Sequence, residues 1–189
     1  AEAKDNNGWT PLHNASFNGN IDIVEYLVEQ CHVNVEAKNN YGGTPLHNAS
    51  FNAHKDVVKY VVEQCRANVE AKDNNGATPL HSASINGHLE FVKYLIEQCH
   101  ANVEAKDNNG ATPLHSALFN GQIEFVKYLV EQCHADVEAK DNEGRTPLHH
   151  ALKYGPIEVV KYLIEQCHAN VEAKDNYGST PLHIASFNG

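Results

Sequence analysis

Methionine is absent from this 189-residue sequence, and tryptophan occurs once. Long apolar runs are missing as well. The longest candidate, Val57 to Val62, is broken by Lys59, and a bilayer-spanning helix needs about 18 consecutive apolar residues. Positive charge is scarce, with 14 Lys and Arg against 24 Asp and Glu, a net charge of −10. That balance argues against nucleic acid, where Lys and Arg must neutralise phosphates, and against an anionic membrane surface. No basic stretch followed by an apolar one opens the chain, so a secretory signal is not expected. The first residue is Ala1 rather than Met, so the native N-terminus is expected to lie upstream. Against these absences stands a hydrophobic fraction of 41%, enough for a core and too much for wholesale disorder.

Cysteine is sparse and odd in number. The five fall at Cys31, Cys65, Cys99, Cys133 and Cys167, each 34 residues after the last. A disulfide framework or zinc ribbon clusters its cysteines, whereas even spacing points to a repeat. Thr-Pro-Leu-His recurs with the same interval of 34, at Thr10, Thr44, Thr78, Thr112, Thr146 and Thr180. Full repeats run 5–38, 39–72, 73–106, 107–140 and 141–174, with 1–4 the tail of an earlier one and 175–189 the front of a sixth. No linker or change of composition interrupts the series, so a single array over 1–189 is expected, a slice of a longer one.

Each repeat dictates its own local structure. In the third, Thr78 is a good N-cap and Pro79 suits the first helical turn, where a missing N–H is no loss. A first helix is expected from Pro79 to about Ile85, stopped by Asn86-Gly87. A second is expected from about Leu89 to Gln98, with Leu89, Val92, Leu95 and Ile96 as its buried stripe. Asp73-Asn74-Asn75-Gly76 is turn chemistry, and Val103-Glu104-Ala105 reads as a short extended arm. Neither helix is long enough to stand alone in water. Neighbouring repeats must cover each stripe, which gives a solenoid of stacked helix pairs with projecting turns. The second repeat reads as the weakest. Ala53 stands where others have Gly, Lys55 where others have Ile or Leu, and Val61 where others have Leu.

The Gly-x-Thr-Pro-Leu-His run, the Asn-Gly-His-Leu-Glu-Phe-Val-Lys-Tyr-Leu run and the Ala-Asn-Val-Glu-Ala-Lys run resemble ankyrin repeats over the whole chain. The resemblance implies an all-α ankyrin-repeat solenoid with projecting β-turns. It also implies that His13, His47, His81, His115, His149 and His183 bond backbone of the adjacent turn, and that turn tips and first helices line a concave groove for partners. One departure concerns the end of the second helix. The family usually places Gly-Ala-Asp there. This chain has Cys99-His100-Ala101-Asn102, one residue longer, so His100 or Asn102 is expected to take the left-handed conformation.

Neither the Cys-His pairs nor the repeated acids form a reactive constellation. Adjacent Cys and His point apart, whereas zinc ligands prefer spacings of two to four. The cysteines read as small buried hydrophobes with free thiols, which favour a reducing, cytoplasmic compartment. Glu29, Glu63, Glu97, Glu131 and Glu165, and Glu36, Glu70, Glu104, Glu138 and Glu172, recur with the repeat and read as a solvated face. No catalytic residue, metal site or cofactor is expected, and the chain reads as a non-enzyme.

The informative positions are those that the repeat leaves free. They lie in the turn, on the first helix and at its end. Trp9, Phe17, Tyr41, Phe51, Phe119, Glu143, Arg145, His150, Lys153, Tyr154 and Tyr177 are the expected partner contacts. Trp9, Tyr41, Tyr154, Tyr177 and Arg145 are of types enriched among interface hot spots, and a partly exposed Phe17, Phe51, Phe119 and Phe187 column would mark a binding surface. The expected role is a protein–protein interaction scaffold whose partner has a basic surface. The alternative is a structural spacer or targeting segment of a larger, enzymatic protein. Uncovered ends of the array would add head-to-tail self-association.

Overall fold

The computed structural model describes residues 3–119 and 121–187, the last without its side chain. Two compact units divide the chain, Ala1–Asn102 and Val103–Gly189. The first unit carries α1 (Pro11–Asn18), α2 (Ile21–Glu29), α3 (Pro45–Phe51), α4 (Lys55–Lys59), α5 (Pro79–Asn86) and α6 (Leu89–Glu97). The second carries α7 (Pro113–Ala117), α8 (Ile123–Lys127), α9 (Pro147–Tyr154), α10 (Ile157–Glu165) and α11 (Pro181–Phe187). No strand occurs among the described residues. α4 and α8 run on into π-helical turns, Tyr60–Gln64 and Tyr128–Gln132.

The first helix of each repeat starts on a Thr whose side chain pairs with the His three residues on. Thr44 N–H donates to His47 Nδ1 at 3.2 Å, and His47 Nε2 donates to the Ala77 carbonyl of the next repeat at 3.0 Å. Nδ1 accepts, so the ring is neutral with its proton on Nε2. The same bond runs from His13 to Gly43, from His115 to Arg145 and from His149 to Ser179. The motif histidine thus caps its own helix and holds the following turn.

Turns are linked directly. Asn74 N–H donates to the Tyr41 carbonyl at 2.9 Å, and Asn142 N–H to Asn109 at 2.8 Å. These bonds draw the backbones together. A Cβ on Gly110, whose φ is +77, would lie 2.8 Å from Asn142 N.

The core comes from Leu46, Leu80, Leu114 and Leu148 of the motif, all at most 2% exposed, and from the second helices. Their stripe differs from expectation. In α6 it is Phe91, Val92, Tyr94 and Leu95 that are buried, while Leu89 and Ile96 are half-buried. Lys55 in the Leu89 column therefore displaces little apolar burial, and its Nζ lies 5.0 Å from the Tyr94 ring centre. α2 buries only Val24. Tyr26 is 62% exposed, against 8% for Tyr94, whose hydroxyl reaches Glu63 of the preceding repeat.

Three other expectations change. Val103-Glu104 and its counterparts form a β-turn rather than an extended arm, closed for example by Ala71 N–H on the Asn68 carbonyl at 3.0 Å. The repeated glutamates are not merely a solvated face. Glu36, Glu70, Glu104 and Glu138 accept the N–H of residues 68, 102, 136 and 170, and Glu29, Glu63 and Glu131 accept tyrosine hydroxyls. The cysteines are not uniformly buried either. Cys99 is buried, Cys65, Cys133 and Cys167 are half-buried, and Cys31 is exposed, all of them free thiols.

Left-handed backbone falls where the missing glycines matter. Ala53 has φ 57, in line with Gly19 and Gly87 at 71 and 65. Gly155, by contrast, is extended, because Pro156 follows it and disfavours helical backbone before it. After each cysteine, His32, Arg66, His100, His134 and His168 have φ between 52 and 58. Ala101 N–H then returns to the Leu95 carbonyl at 3.0 Å, six residues back, and closes the helix end around the left-handed residue. A side chain in this conformation costs about 1–2 kcal/mol, and glycine gives back about 0.4–1 kcal/mol through the unfolded chain. His100→Gly is expected to stabilise the protein by about 0.5–1 kcal/mol, read as a raised urea midpoint. An unchanged or lower midpoint would show that His100 has a compensating contact.

Candidate functional site

In the first compact unit, turn tips and first helices share one face. Phe17 and Phe51 lie on it, 37% and 39% exposed, with Tyr41 at 64%. Trp9 is half-buried, its ring 5.3 Å from that of Phe17 and tilted by 59°. Trp9, Phe17, Tyr41, Phe51 and Asp73 line a groove of about 410 Å³, floored by His47, Asn48 and Ser82. Each turn is held by the Asp or Asn that opens it. Asp73 Oδ1 accepts the N–H of Asn75 at 2.8 Å and of Ala77 at 2.9 Å. Asn39 Oδ1 does the same for Tyr41 and Gly43, both at 2.9 Å.

In the second unit the corresponding face is partly filled from within. Phe119 stacks on Tyr154 at 4.7 Å. His150 sends Nε2 to Asp141 Oδ2 at 3.0 Å and presents its ring edge-on to His115 at 4.9 Å. Burial pushes the Asp141 carboxyl up, but the His150 bond and the N–H groups of Arg145 and Glu143 outweigh it and hold the group below its usual value. Arg145 pairs with Glu143, leaving Arg145 Nε buried without a partner. Lys153 Nζ lies 4.8 Å from the Tyr154 ring centre, and Tyr177 is 76% exposed.

The free columns thus gather on the turn-and-first-helix face of each unit. The aromatic column is exposed there rather than filling space between repeats; Phe187 lies outside the described side chains. Sequence reading missed Asp73 and Ser82, which line the groove. The signal available was the position nine residues after the Asp, where Ser82 follows Asp73 and His150 follows Asp141.

Burial also sets the protonation of the motif histidines. His13, His47, His115 and His149 are held below the usual imidazole pKa, chiefly by burial, and His115 is brought to about 4. Burial raises the thiols of Cys65, Cys99 and Cys167, which suppresses thiolate reactivity. Among the described residues no group of three His, Cys, Asp or Glu is placed to hold a metal ion, and no helix is long and apolar enough to cross a membrane.

Capped helix pairs, turn-to-turn bonds and a period of 34 decide the family, and a profile of ankyrin repeats matches residues 1–73, 65–141 and 132–189. The chain belongs to the ankyrin-repeat family. Ankyrin repeats generally serve as protein–protein interaction modules, and the family is typically non-catalytic. No curated protein sequence matches the chain.

Proposed function

We propose that this ankyrin-repeat chain binds a partner protein through its turn tips and first helices, without catalysis. The observation that carries this reading is the exposed aromatic side chains on that face of each unit, Phe17 and Phe51 with Trp9 and Tyr41 in the first and Phe119 with Tyr154 in the second. Exposed aromatic area on a rigid frame marks a binding surface, since little ordering entropy opposes association. In the second unit Glu143, Arg145, Lys153 and Tyr177 supply the polar border, and His150 lies beneath it on Asp141. The net charge of −10 favours a partner with a basic surface and speeds the encounter at low salt. Free thiols fit a reducing, cytoplasmic setting. Exposed Tyr26 and Leu182, at 62% and 54%, leave room for weak head-to-tail association between copies.

Affinity capture with the wild-type chain, followed by titration of the captured partner against variants, tests the reading. Tyr41→Ala and Arg145→Glu are each expected to weaken binding by about 1 kcal/mol or more. Tyr41 is solvent-exposed, so its truncation should move stability by no more than about 0.5 kcal/mol. Normal binding by both variants would place the interface elsewhere.

A further inference from the structure

The two units contain the same box in two states. In the second unit the box is built from His115, Phe119 and Asp141. His150 fills it, Nε2 on the Asp141 carboxylate and its ring among His115 at 4.9 Å and Phe119 and Tyr154 at 6.3 Å. Two repeats upstream the same positions are His47, Phe51 and Asp73, and all three line the 410 Å³ groove. The position of His150 is there taken by Ser82, which has no ring and also lines the groove. What the chain supplies to itself in one unit is therefore wanting in the other: a planar N–H group over a carboxylate, flanked by aromatic faces. Trp9, Phe17 and Tyr41 add further aromatic wall to this groove.

Resting on the reading that this face binds protein, we propose that the groove takes an arginine side chain from an extended segment of the partner. Its guanidinium hydrogen-bonds to Asp73, and its plane packs on the aromatic rings. Arginine matches the box better than lysine. It is planar, forks two or more N–H groups toward a carboxylate and stacks on rings while weakly hydrated. The chain's net charge of −10 draws such a segment in and repels an acidic one. One repeat earlier, Asn39 replaces the aspartate, so no carboxylate is offered there.

The test uses a phage-displayed random peptide library selected on the full chain. Selected peptides are expected to carry arginine at one fixed position, and changing it to lysine should weaken binding about fivefold or more. Asp73→Asn should weaken binding about tenfold or more by removing a charge-assisted bond. The fold tolerates it, since Asn39 already holds its turn through Oδ1. Ser82→His, which recreates the His150 arrangement, should close the groove and abolish binding with Asp73 intact. Peptides that lose affinity on Tyr41→Ala but need no arginine and ignore Asp73→Asn would overturn the arginine site and leave the binding face standing. Peptides indifferent to Tyr41→Ala, Asp73→Asn and Ser82→His alike would overturn both.

Discussion

Leu114→Ala is expected to cost about 2–5 kcal/mol of stability, whereas Leu182→Ala should cost less than about 1 kcal/mol. Both occupy the leucine of the same motif and belong to the same compact unit. Leu114 is 1% exposed, on a helix packed against α8 and α9, so truncation leaves a void. Leu182 is 54% exposed and leaves almost none. Urea midpoints at unchanged slope measure the difference. Similar costs for the two would mean that burial is not what the motif leucine contributes. The contrast also shows that a motif position has no fixed energetic worth; its neighbours set it.

Acidification from pH 6.5 to 4 should remove about 3 kcal/mol through His115 alone, and more through His13, His47 and His149. The folded His115 has a pKa of about 4, lowered chiefly by burial and then by the His150 charge, and the unfolded value is about 6.5. Between these values the unfolded chain binds the extra proton. The stability is thus fully present above pH 6.5 and declines as pH falls toward 4. The geometry supplies the reason. Protonation puts a hydrogen on Nδ1, which faces the Thr112 N–H at 3.2 Å and can no longer accept it. Asp141 works in a separate, lower window, its lowered carboxyl pKa contributing stability above the unfolded carboxylate range and losing it below. Loss of negative charge relaxes self-repulsion over the same interval and opposes the histidine term. A His115→Gln variant separates the two. Its stability should depend less steeply on pH between 6.5 and 4, and an unchanged slope would remove His115 from the account.

Local structure was legible because each repeat states its boundaries in backbone chemistry. Thr-Pro begins a helix and Asn-Gly ends it, and the observed α5 and α6 depart from the expected limits by one residue each. Ala53 was readable as a left-handed position by comparison with its glycine column. What sequence alone misjudged depends on the next repeat. The Glu70 carboxylate accepts Asn102 N–H, 32 residues away, and a charge pattern carries no sign of that partner. The buried stripe of α6 moved to Phe91 and Tyr94 because the neighbouring helix, not periodicity, chooses the covered face. For the candidate site, the aromatic column was visible as variation within a fixed frame. Asp73 was not, because its residue type is part of the frame and only Ser82 makes it different from Asp141.

Trp9 gives the groove its own optical probe. It is the lone indole of the chain, it sits against Phe17 on the groove wall, and tyrosine emission can be avoided by selective excitation. Any side chain that enters beside it must change the polarity or quenching around that ring. Occupancy of this groove can therefore be followed by intrinsic fluorescence, with no dye attached and no residue replaced.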